Sequence, residues 1–448
     1  MFQDQYTTPA SVLIEADSTD TGLVTEKTSN PYDFSRPLDV LLFSKFKVFK
    51  KAIDSIIQEI RPDLGKAFEQ NQKDYKSMTK LVVLNLFEAW NEHEDLYVGF
   101  SRNQNAYGPG TRNHRLHVKY RPLIKSIDAL EQAGYLKQKN GFQDPNTGIG
   151  RQSRMIATDK LITTLISYKI EWQMVQRGKD DPIVLRDADK NDIEFKAPRS
   201  IQTKSANVNR LNKYLTQQDI SFEAPKTVIK SMWARKIKQP NMKRDQLTRV
   251  FNESWDEGGR FYRGWWQGLP SEYRQHIRIN GKPVTELDFS SIHPYILYAR
   301  KGLPMPEGDM YTVEDMLAKQ RKICKTILLT IFNVRPDQNP LKAVMYDLNR
   351  KEGIRLGSKE VEHLIGQLKA KHEPIAEYFG SGVGRQLQKT DSNIAERVML
   401  RLMEQDIPCL PVHDSFIVPV QHEDALRQAT IEAAKALTGQ TPRVDKKY

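Results

Sequence analysis

The stretch VTELDFSSIHPYILYA, from Val284 to Ala299, places a single carboxylate, Asp288, where a strand-like apolar run meets a helix-like one. Such a position has two interpretations. Asp is among the residues preferred at the N-cap of a helix, where its side chain accepts a hydrogen bond from the first turn. A carboxylate at the end of a buried strand is also a good ligand for Mg²⁺, which binds oxygen. The second interpretation requires another carboxylate nearby.

A second carboxylate lies in PCLPVHDSFIVPV, from Pro408 to Val420. Apolar residues on both sides of a polar centre predict two strands joined by a turn, with His413 and Asp414 at the tip of the hairpin. One acid at the end of a strand and another on a neighbouring hairpin suit a two-metal site, in which oxygen ligands hold two Mg²⁺ ions about 3.5–4 Å apart. We therefore expect Asp288 and Asp414 to lie together.

Between these acids, AKQRKICKTILLTIFNV (318–334) has the apolar spacing of a helix. Arg321 and Lys325 are four residues apart and share one helical face, whereas Lys322 points elsewhere. Two cations on one face can neutralise a triphosphate during phosphoryl transfer. The alternative is a surface helix with two exposed cations, and this segment alone favours that alternative.

In their order and their amino-acid residues, the segments between about residues 250 and 435 resemble the palm and fingers of family A DNA polymerases. They also resemble the relatives of that family, the single-subunit phage-type RNA polymerases. LDFSSIHPYIL looks like motif A, RKICKTILLTIFN like motif B and VHDSF like motif C. The resemblance implies an α+β (mixed α/β) right-hand polymerase fold, with an antiparallel palm sheet and helical fingers and thumb. It also implies two bound Mg²⁺ ions, or Mn²⁺ in their place.

Carried over residue by residue, the resemblance assigns metal binding to Asp288, Asp414 and the main-chain carbonyl of Phe289. Lys325 would donate a proton to the pyrophosphate, which makes it catalytic together with the two acids. The positions expected to contact the incoming nucleotide are Arg321, Lys325, His293, Leu329, Phe332 and Asn333. The positions expected to contact primer or template are Arg260, Gln267, His413, Lys236, Lys243 and Arg244.

Departures from the family pattern bear on the substrate. Ser415 stands where family A has Glu, as in the RNA polymerase branch. Leu329 and Asn333 replace aromatic residues of the fingers, and Phe332 is the candidate substitute for base stacking. His293 occupies the position of the Glu that crowds the ribose 2′-OH in family A, and its bulky imidazole favours dNTPs over rNTPs. The alternative for a lone His is a packed residue at the start of a helix.

The chain divides by composition into a flexible tail (1–37), a winged-helix-like nucleic-acid-binding domain (38–165), a linker or mixed region (166–225), a basic thumb-like segment (226–250) and the palm and fingers (251–448). RPLIKSIDALEQAGYLKQKNGF predicts a helix, a Gly stop and a strand, and RQSRMIATD a second strand. This pattern resembles the winged helix of plasmid replication initiators and transcription regulators. The alternative is a small helical domain with an incidental hairpin. The cations expected to face phosphate there are Arg112, Arg115, Lys119, Lys125 and Arg151.

The composition predicts a cytoplasmic protein that binds nucleic acid. The 448 residues carry a formal charge of +12, with a pI of about 9.3, and a positive charge of this size favours a polyanionic partner. The two cysteines indicate no disulfide framework. No apolar run reaches the length of a membrane span, and the first residues lack the features of a secretory signal.

The sequence thus predicts a DNA-dependent DNA polymerase that extends a primer on a template with dNTPs, in the replication of a phage, plasmid or other mobile element. The N-terminal half contains no motif of a 3′→5′ exonuclease, so proofreading is not expected. An RNA polymerase or primase on the same palm is the first alternative. A non-catalytic replication initiator or DNA-binding regulator is the second. The oligomeric state is left open.

Overall fold

The computed structural model describes residues 34–143, 150–313 and 321–448, and the predicted tail up to residue 33 lies outside this part. Two hydrophobic cores organise the described chain. The first runs from Phe34 to Val175 and the second from Ile183 to Ala434. We call the regions around them the N-terminal domain and the C-terminal domain.

The N-terminal domain is mostly helical and has one four-stranded sheet. Its helices are α1 (Lys47–Leu64), α2 (Lys66–Gln70), α3 (Gln72–Glu92), α4 (Arg112–Arg115), α5 (Tyr120–Gln132) and α6 (Asp159–Ser167). Its strands are β1 (Ser35–Pro37), β2 (Leu42–Phe43), β3 (Tyr97–Phe100), β4 (Leu136–Lys139), β5 (Phe142–Gln143), β6 (Gly150–Arg151), β7 (Ser153–Ala157) and β8 (Gln176–Arg177). The sheet has the order β1, β3, β7 and β4.

Helix α5 and strands β4 and β7 follow the predicted order of helix, strand, turn and strand. Leu123, Ile127 and Leu130 of α5 are buried in the first core, at the i, i+4 and i+7 positions of one helical face. Gly134 follows the helix with φ of 79°, a left-handed conformation that suits Gly at a helix end. Residues 144–149, between β5 and β6, lie outside the described part.

The C-terminal domain mixes helices with two sheets. Its helices are α7 (Arg199–Leu215), α8 (Lys226–Ala234), α9 (Ser271–Arg274), α10 (Ile292–Arg300), α11 (Arg321–Asn333), α12 (Pro340–Asp347), α13 (Ser358–Lys371), α14 (Gly384–Glu404) and α15 (Glu423–Thr438). Its strands are β9 (Ile183–Arg186), β10 (Asp192–Ile193), β11 (Ile220–Phe222), β12 (Thr248–Asn252), β13 (Ser254–Tyr262), β14 (Ile277–Ile279), β15 (Lys282–Phe289), β16 (Leu410–Val412), β17 (Ser415–Pro419) and β18 (Val444–Lys446). Across the described ranges, no helix combines the length and the apolar character that crossing a membrane requires.

The sheet that carries the two predicted acids has the order β11, β14, β15, β17 and β16, with β18 added beside β15. All of these pairs are antiparallel, as expected for the palm sheet. Strand β15 is central, and its residues Thr285, Glu286 and Leu287 are buried, so neighbours on both edges position it. The chain is a mixed α/β protein. Its division into palm, fingers and thumb stays a prediction.

Residues 166–225, interpreted from the sequence as a linker or mixed region, form regular elements in the structure. This stretch contains β9, β10, α7 and β11, and β9 pairs in parallel with β12. Helix α7 buries Ile201, Val208 and Leu211 in the second core. The polar composition that suggested a linker belongs to the outer side of α7, because an amphipathic helix keeps its polar residues facing solvent.

The role of residues 226–250 as a basic thumb-like segment stays a prediction. Beyond α8 this segment runs along the N-terminal domain. Lys243 Nζ donates to Glu88 Oε2 at 2.6 Å, and Arg244 Nη2 pairs with Asp39 Oδ2 at 3.0 Å. These two cations therefore join the domains, and their contact with primer or template stays a prediction.

Candidate active site

Asp288 and Asp414 are brought together by the pairing of β15 with β17. Asp288 lies opposite Ser415 in the antiparallel register, and Asp414 lies in the turn between β16 and β17. The amide of Phe289 donates to the carbonyl of Asp414 at 3.2 Å, so the hydrogen bonding between the strands continues into this turn. The predicted hairpin, with His413 and Asp414 at its tip, is present.

The structure excludes Asp288 as the N-cap of the following helix. Ser291 precedes α10, and its φ of 57° marks the change from strand to helix. Asp288 lies within β15, and its Oδ1 is buried without a hydrogen-bond partner among the described residues. Buried polar atoms of this kind need a partner. An orphaned carboxylate oxygen beside a second acid fits a bound cation.

The charges at this site favour a divalent ion. Burial raises the pKa of Asp288 to about 6, and the negative charge of Asp414 adds to the rise. Two acids in one site resist ionising together unless a cation neutralises them. Both carboxylates and the carbonyl of Phe289 are oxygen donors of the kind that Mg²⁺ prefers. In the described ranges, no group of three or more His, Cys, Asp or Glu side chains is arranged to hold a metal ion.

Replacing Asp288 with Asn is expected to stabilise the metal-free protein at about pH 8 by about 1–3 kcal/mol. A carboxyl whose pKa is raised in the fold adds stability while it is protonated, and this contribution is lost as the pH rises through about 6. The amide side chain of Asp288→Asn carries no charge, so the variant does not lose this stability as the pH rises. Denaturant unfolding in EDTA measures the difference, which should shrink as the pH falls from about 6 towards about 4. An equal difference at both ends of this range would contradict the explanation.

A further buried acid, Glu286, supports the site from the same strand. Its side chain is 0 % exposed, and Arg274 binds its two oxygens at 2.7 and 2.9 Å. Ser415 Oγ donates to Glu286 Oε1 at 2.6 Å. Residues two apart in a strand face the same side, so Glu286 adjoins Asp288. No motif marks Glu286, and the only signal in the sequence is this spacing. Ser415 thus has a carboxylate partner on the neighbouring strand.

His293 is held in a polar network. The residue is 7 % exposed, and its Nε2 lies 3.2 Å from Arg260 Nη2 and 3.4 Å from Asp391 Oδ2. Arg260 in turn donates to Asp391 through Nε and Nη2. The histidine is therefore packed, as the alternative interpretation expected. Its Nδ1 is nevertheless buried without a hydrogen-bond partner in the described part of the chain, which leaves one ring atom for a ligand.

Helix α11 presents Arg321, Lys325, Leu329 and Asn333 on its exposed or half-exposed side, as their four-residue spacing predicts. The ring of Tyr311 lies beside the two cations. Its centroid is 5.3 Å from the guanidinium carbon of Arg321 and 5.5 Å from Lys325 Nζ. At these distances each cation is attracted by the ring, so Tyr311 helps to hold this cationic face.

Tyr311 also connects the cationic face with the acids. Burial raises the pKa of Tyr311 to about 12, a hydrogen bond joins its hydroxyl to Ser291, and the charge of Asp414 contributes to the rise. Arg321 is paired with Asp309, two residues before the tyrosine. Through Tyr311, the face of α11 therefore lies near the turn that carries Asp414, although about 90 residues separate Lys325 from Asp414.

Phe332 lies on the other side of α11, and the structure corrects its expected role. It is fully buried and packs edge-on against Phe379, with the ring centroids 5.5 Å apart. A ring can stack on a base only where its face is open.

Gln267 donates its side-chain amide to the carbonyls of Phe261 and Pro411 at 2.9 and 3.1 Å, which ties β13 to β16. Contact of Gln267 with primer or template stays a prediction.

His413 and Lys236 are both half-exposed. The ring of His413 lies 5.3 Å from that of Tyr262, and burial lowers the pKa of His413, with the charge of Arg260 as the next cause. Lys236 follows α8 with φ of 54°. Contact of either residue with primer or template stays a prediction.

The cations of the N-terminal domain divide into two groups. Arg112 and Arg115 form ion pairs with acids near residue 180, and Arg112 lies 2.9 Å from the buried Asp180. These arginines therefore have carboxylate partners within the protein, and their contact with phosphate stays a prediction. Lys119 and Lys125 are exposed at the start and on the outer side of α5. Contact of these two lysines with DNA stays a prediction.

Comparison with known proteins finds likeness to solved structures. No family model and no curated protein matches the chain. A solved structure, the POL domain of Pol1 from M. smegmatis in complex with DNA primer-template and dNTP, aligns with 90% of this chain at a TM-score of 0.33 and 10% identity. The chain covers 66% of that structure. A likeness at this level does not establish a shared family. The site itself combines two acids with a cationic helix face on a mixed α/β scaffold.

Proposed function

We propose that this protein is a nucleotidyltransferase that extends the 3′ end of a primer with nucleotides selected by a template. The observation that carries the proposal is the pairing of β15 with β17, which brings Asp288 beside Asp414; Asp288 Oδ1 has no hydrogen-bond partner in the described part of the chain. The cationic face of α11 adjoins these acids through Tyr311. Acids that can hold metal, next to cations that can neutralise a triphosphate, are the two parts that phosphoryl transfer requires.

In this proposal, Asp288, Asp414 and the carbonyl of Phe289 hold two Mg²⁺ ions, for which Mn²⁺ can substitute. When bound, the ions would lower the pKa of the primer 3′-hydroxyl and neutralise the charge of the leaving pyrophosphate. The 3′-hydroxyl loses its proton to water and its oxygen forms a bond to the α-phosphorus, while the bond from this phosphorus to the oxygen that bridges it to the β-phosphate breaks. Arg321 and Lys325 balance the charge of the triphosphate, and Lys325 gives a proton to the departing pyrophosphate.

We further propose that the nucleotides are dNTPs and that the template is DNA. His293 supports this choice, because a ring held by Arg260 and Asp391 has little freedom to move away from a 2′-hydroxyl. Ser415 favours the alternative, an RNA polymerase or primase, because the resemblance to the RNA polymerase branch lies at this position. The protein would act without proofreading, in the replication of a phage, plasmid or other mobile element.

Primer extension on a defined template tests the proposal. Wild type and His293→Ala are incubated with Mg²⁺ or Mn²⁺ and with dNTPs and rNTPs in separate reactions, and a reaction without template serves as control. We expect template-dependent incorporation of dNTPs by wild type. We also expect His293→Ala to raise rNTP use relative to dNTP use by about tenfold, the scale of one lost steric contact.

The same experiment separates the alternatives. Preference of wild type for rNTPs would overturn the choice of dNTPs and support an RNA polymerase or primase. Equal extension without template would overturn the template-directed role. No incorporation with either ion, together with retained binding to duplex DNA in a mobility-shift assay, would overturn the enzyme and support the replication initiator.

A further inference from the structure

We propose that Lys447 is a positioning residue of the metal site: its ammonium group neutralises Asp288 in the metal-free protein and competes with the incoming divalent ion. The inference rests on the proposed function, because it assumes that Asp288 binds metal. It goes further by assigning control of metal affinity to a residue outside the three polymerase-like motifs. The resemblance described above ends near residue 435, so it does not cover Lys447.

Strand β18 brings Lys447 to the site. It pairs antiparallel with the last residues of β15, and Asp445 lies opposite Asp288. The amide of Lys447 donates to the carbonyl of Glu286 at 2.9 Å, which extends this pairing by one residue. Residues opposite each other on paired strands face the same side. The side chain of Lys447 therefore lies on the side of the sheet that carries Glu286 and Asp288.

The distances show how the ammonium group is shared. Lys447 Nζ lies 2.9 Å from Glu286 Oε1 and 3.3 Å from Asp288 Oδ2. Glu286 also has the guanidinium of Arg274 and the hydroxyl of Ser415, so its charge remains compensated without the lysine. Asp288 has the negative charge of Asp414 beside it. The positive charge of Lys447 therefore matters more to Asp288 than to Glu286.

Metal binding changes this balance. A divalent ion on the carboxylate of Asp288 would meet the charge of Lys447 within a few ångströms, and like charges at that separation repel. The ammonium group can remain on Glu286, its closer partner, without leaving the site. Before the ion binds, the positive charge of Lys447 thus reduces the repulsion between Asp288 and Asp414. When the ion binds, the same charge lowers the affinity of the site for it.

Binding of Mn²⁺ alone, followed by electron paramagnetic resonance, tests the inference without nucleic acid or turnover. We expect Lys447→Met to bind Mn²⁺ about tenfold more tightly than wild type, because one repelling charge is removed. Lys447→Arg keeps the charge and should retain the affinity of wild type within about twofold. In EDTA, Lys447→Met should melt at a lower temperature than wild type, and saturating Mn²⁺ should remove the difference.

Lys446→Met is the matched control. Lys446 belongs to the same strand, but its ammonium group pairs with Glu423 at 2.7 Å, so its removal should leave Mn²⁺ affinity unchanged. If Lys447→Met fails to fold, Lys447→Gln, which keeps a donor for Glu286, should show the same tightening. Unchanged or weaker Mn²⁺ binding by folded Lys447→Met or Lys447→Gln would overturn this inference and leave the proposed function standing. Absence of Mn²⁺ binding by wild type would overturn both.

Discussion

Replacing Asp414 with Asn is expected to abolish primer extension, by about 1,000-fold or more, which corresponds to about 4 kcal/mol of lost transition-state stabilisation. Asp414 lies in the turn between β16 and β17, next to Asp288, whose Oδ1 has no hydrogen-bond partner among the described residues. An amide has nearly the same shape but no negative charge, so the metal site loses one of its two acids. The turn should persist, because β16 and β17 are held by backbone hydrogen bonds along the hairpin.

Asp424→Asn serves as the control for Asp414→Asn. Asp424 is an exposed acid in the first turn of α15, so this substitution changes the net charge equally and leaves the site intact. We expect it to keep extension activity within about twofold. Both variants should bind a primer-template like wild type and unfold at similar temperatures. Robust extension by Asp414→Asn in Mg²⁺ would contradict the assignment of this residue to the metal site.

Replacing Arg249 with Met is expected to destabilise the protein by about 3–5 kcal/mol, the cost of leaving a buried charge without its partner. The side chain of Arg249 is 0 % exposed, and its Nη1 donates to Glu396 Oε2 at 2.7 Å. Its Nε and Nη2 donate to the carbonyl of Gly259 and the hydroxyl of Ser392, both at 2.8 Å. Methionine fills much of the volume but satisfies none of these acceptors. Denaturant unfolding measures the loss.

Arg235→Met provides the comparison for Arg249→Met. Arg235 belongs to the same basic stretch of sequence, but its side chain is 56 % exposed and it pairs with the exposed Glu272 at 3.2 Å. Ion pairs at the surface contribute little, so we expect a change within about 1 kcal/mol. Equal destabilisation by both variants would show that burial of Arg249 is not the cause.

The features that the sequence predicts correctly depend on neighbouring residues along the chain. The apolar flanks of His413 and Asp414 predicted the hairpin, and the four-residue spacing of Arg321 and Lys325 predicted their shared face. The alternation of side chains in a strand and the period of a helix are properties of a few consecutive residues, so they can be recognised without tertiary structure. The winged-helix and polymerase-type assignments go beyond such local patterns and stay predictions.

Other features could not be predicted from the sequence because they depend on partners far away in the chain. In the sequence, Lys243 and Arg244 belong to a basic run next to Arg249, and composition alone treats all three alike. In the structure, the first two bind carboxylates of the N-terminal domain, and Arg249 is buried against α14. The burial of Phe332 on the inner side of α11 likewise depends on Phe379. Composition carries no information about which acid or ring a side chain will meet.

By itself the sequence determined the strand that ends near Asp288, the hairpin that carries Asp414 and the cationic side of α11. Only the tertiary structure decided that Asp288 Oδ1 has no hydrogen-bond partner among the described residues and that Glu286 adjoins Asp288. It also decided that Lys447 Nζ lies close to the carboxylates of both Glu286 and Asp288. The physical reason is the way β15 is paired. Its neighbours β17 and β18 come from more than 120 residues further along the chain, and only their register sets which charges meet.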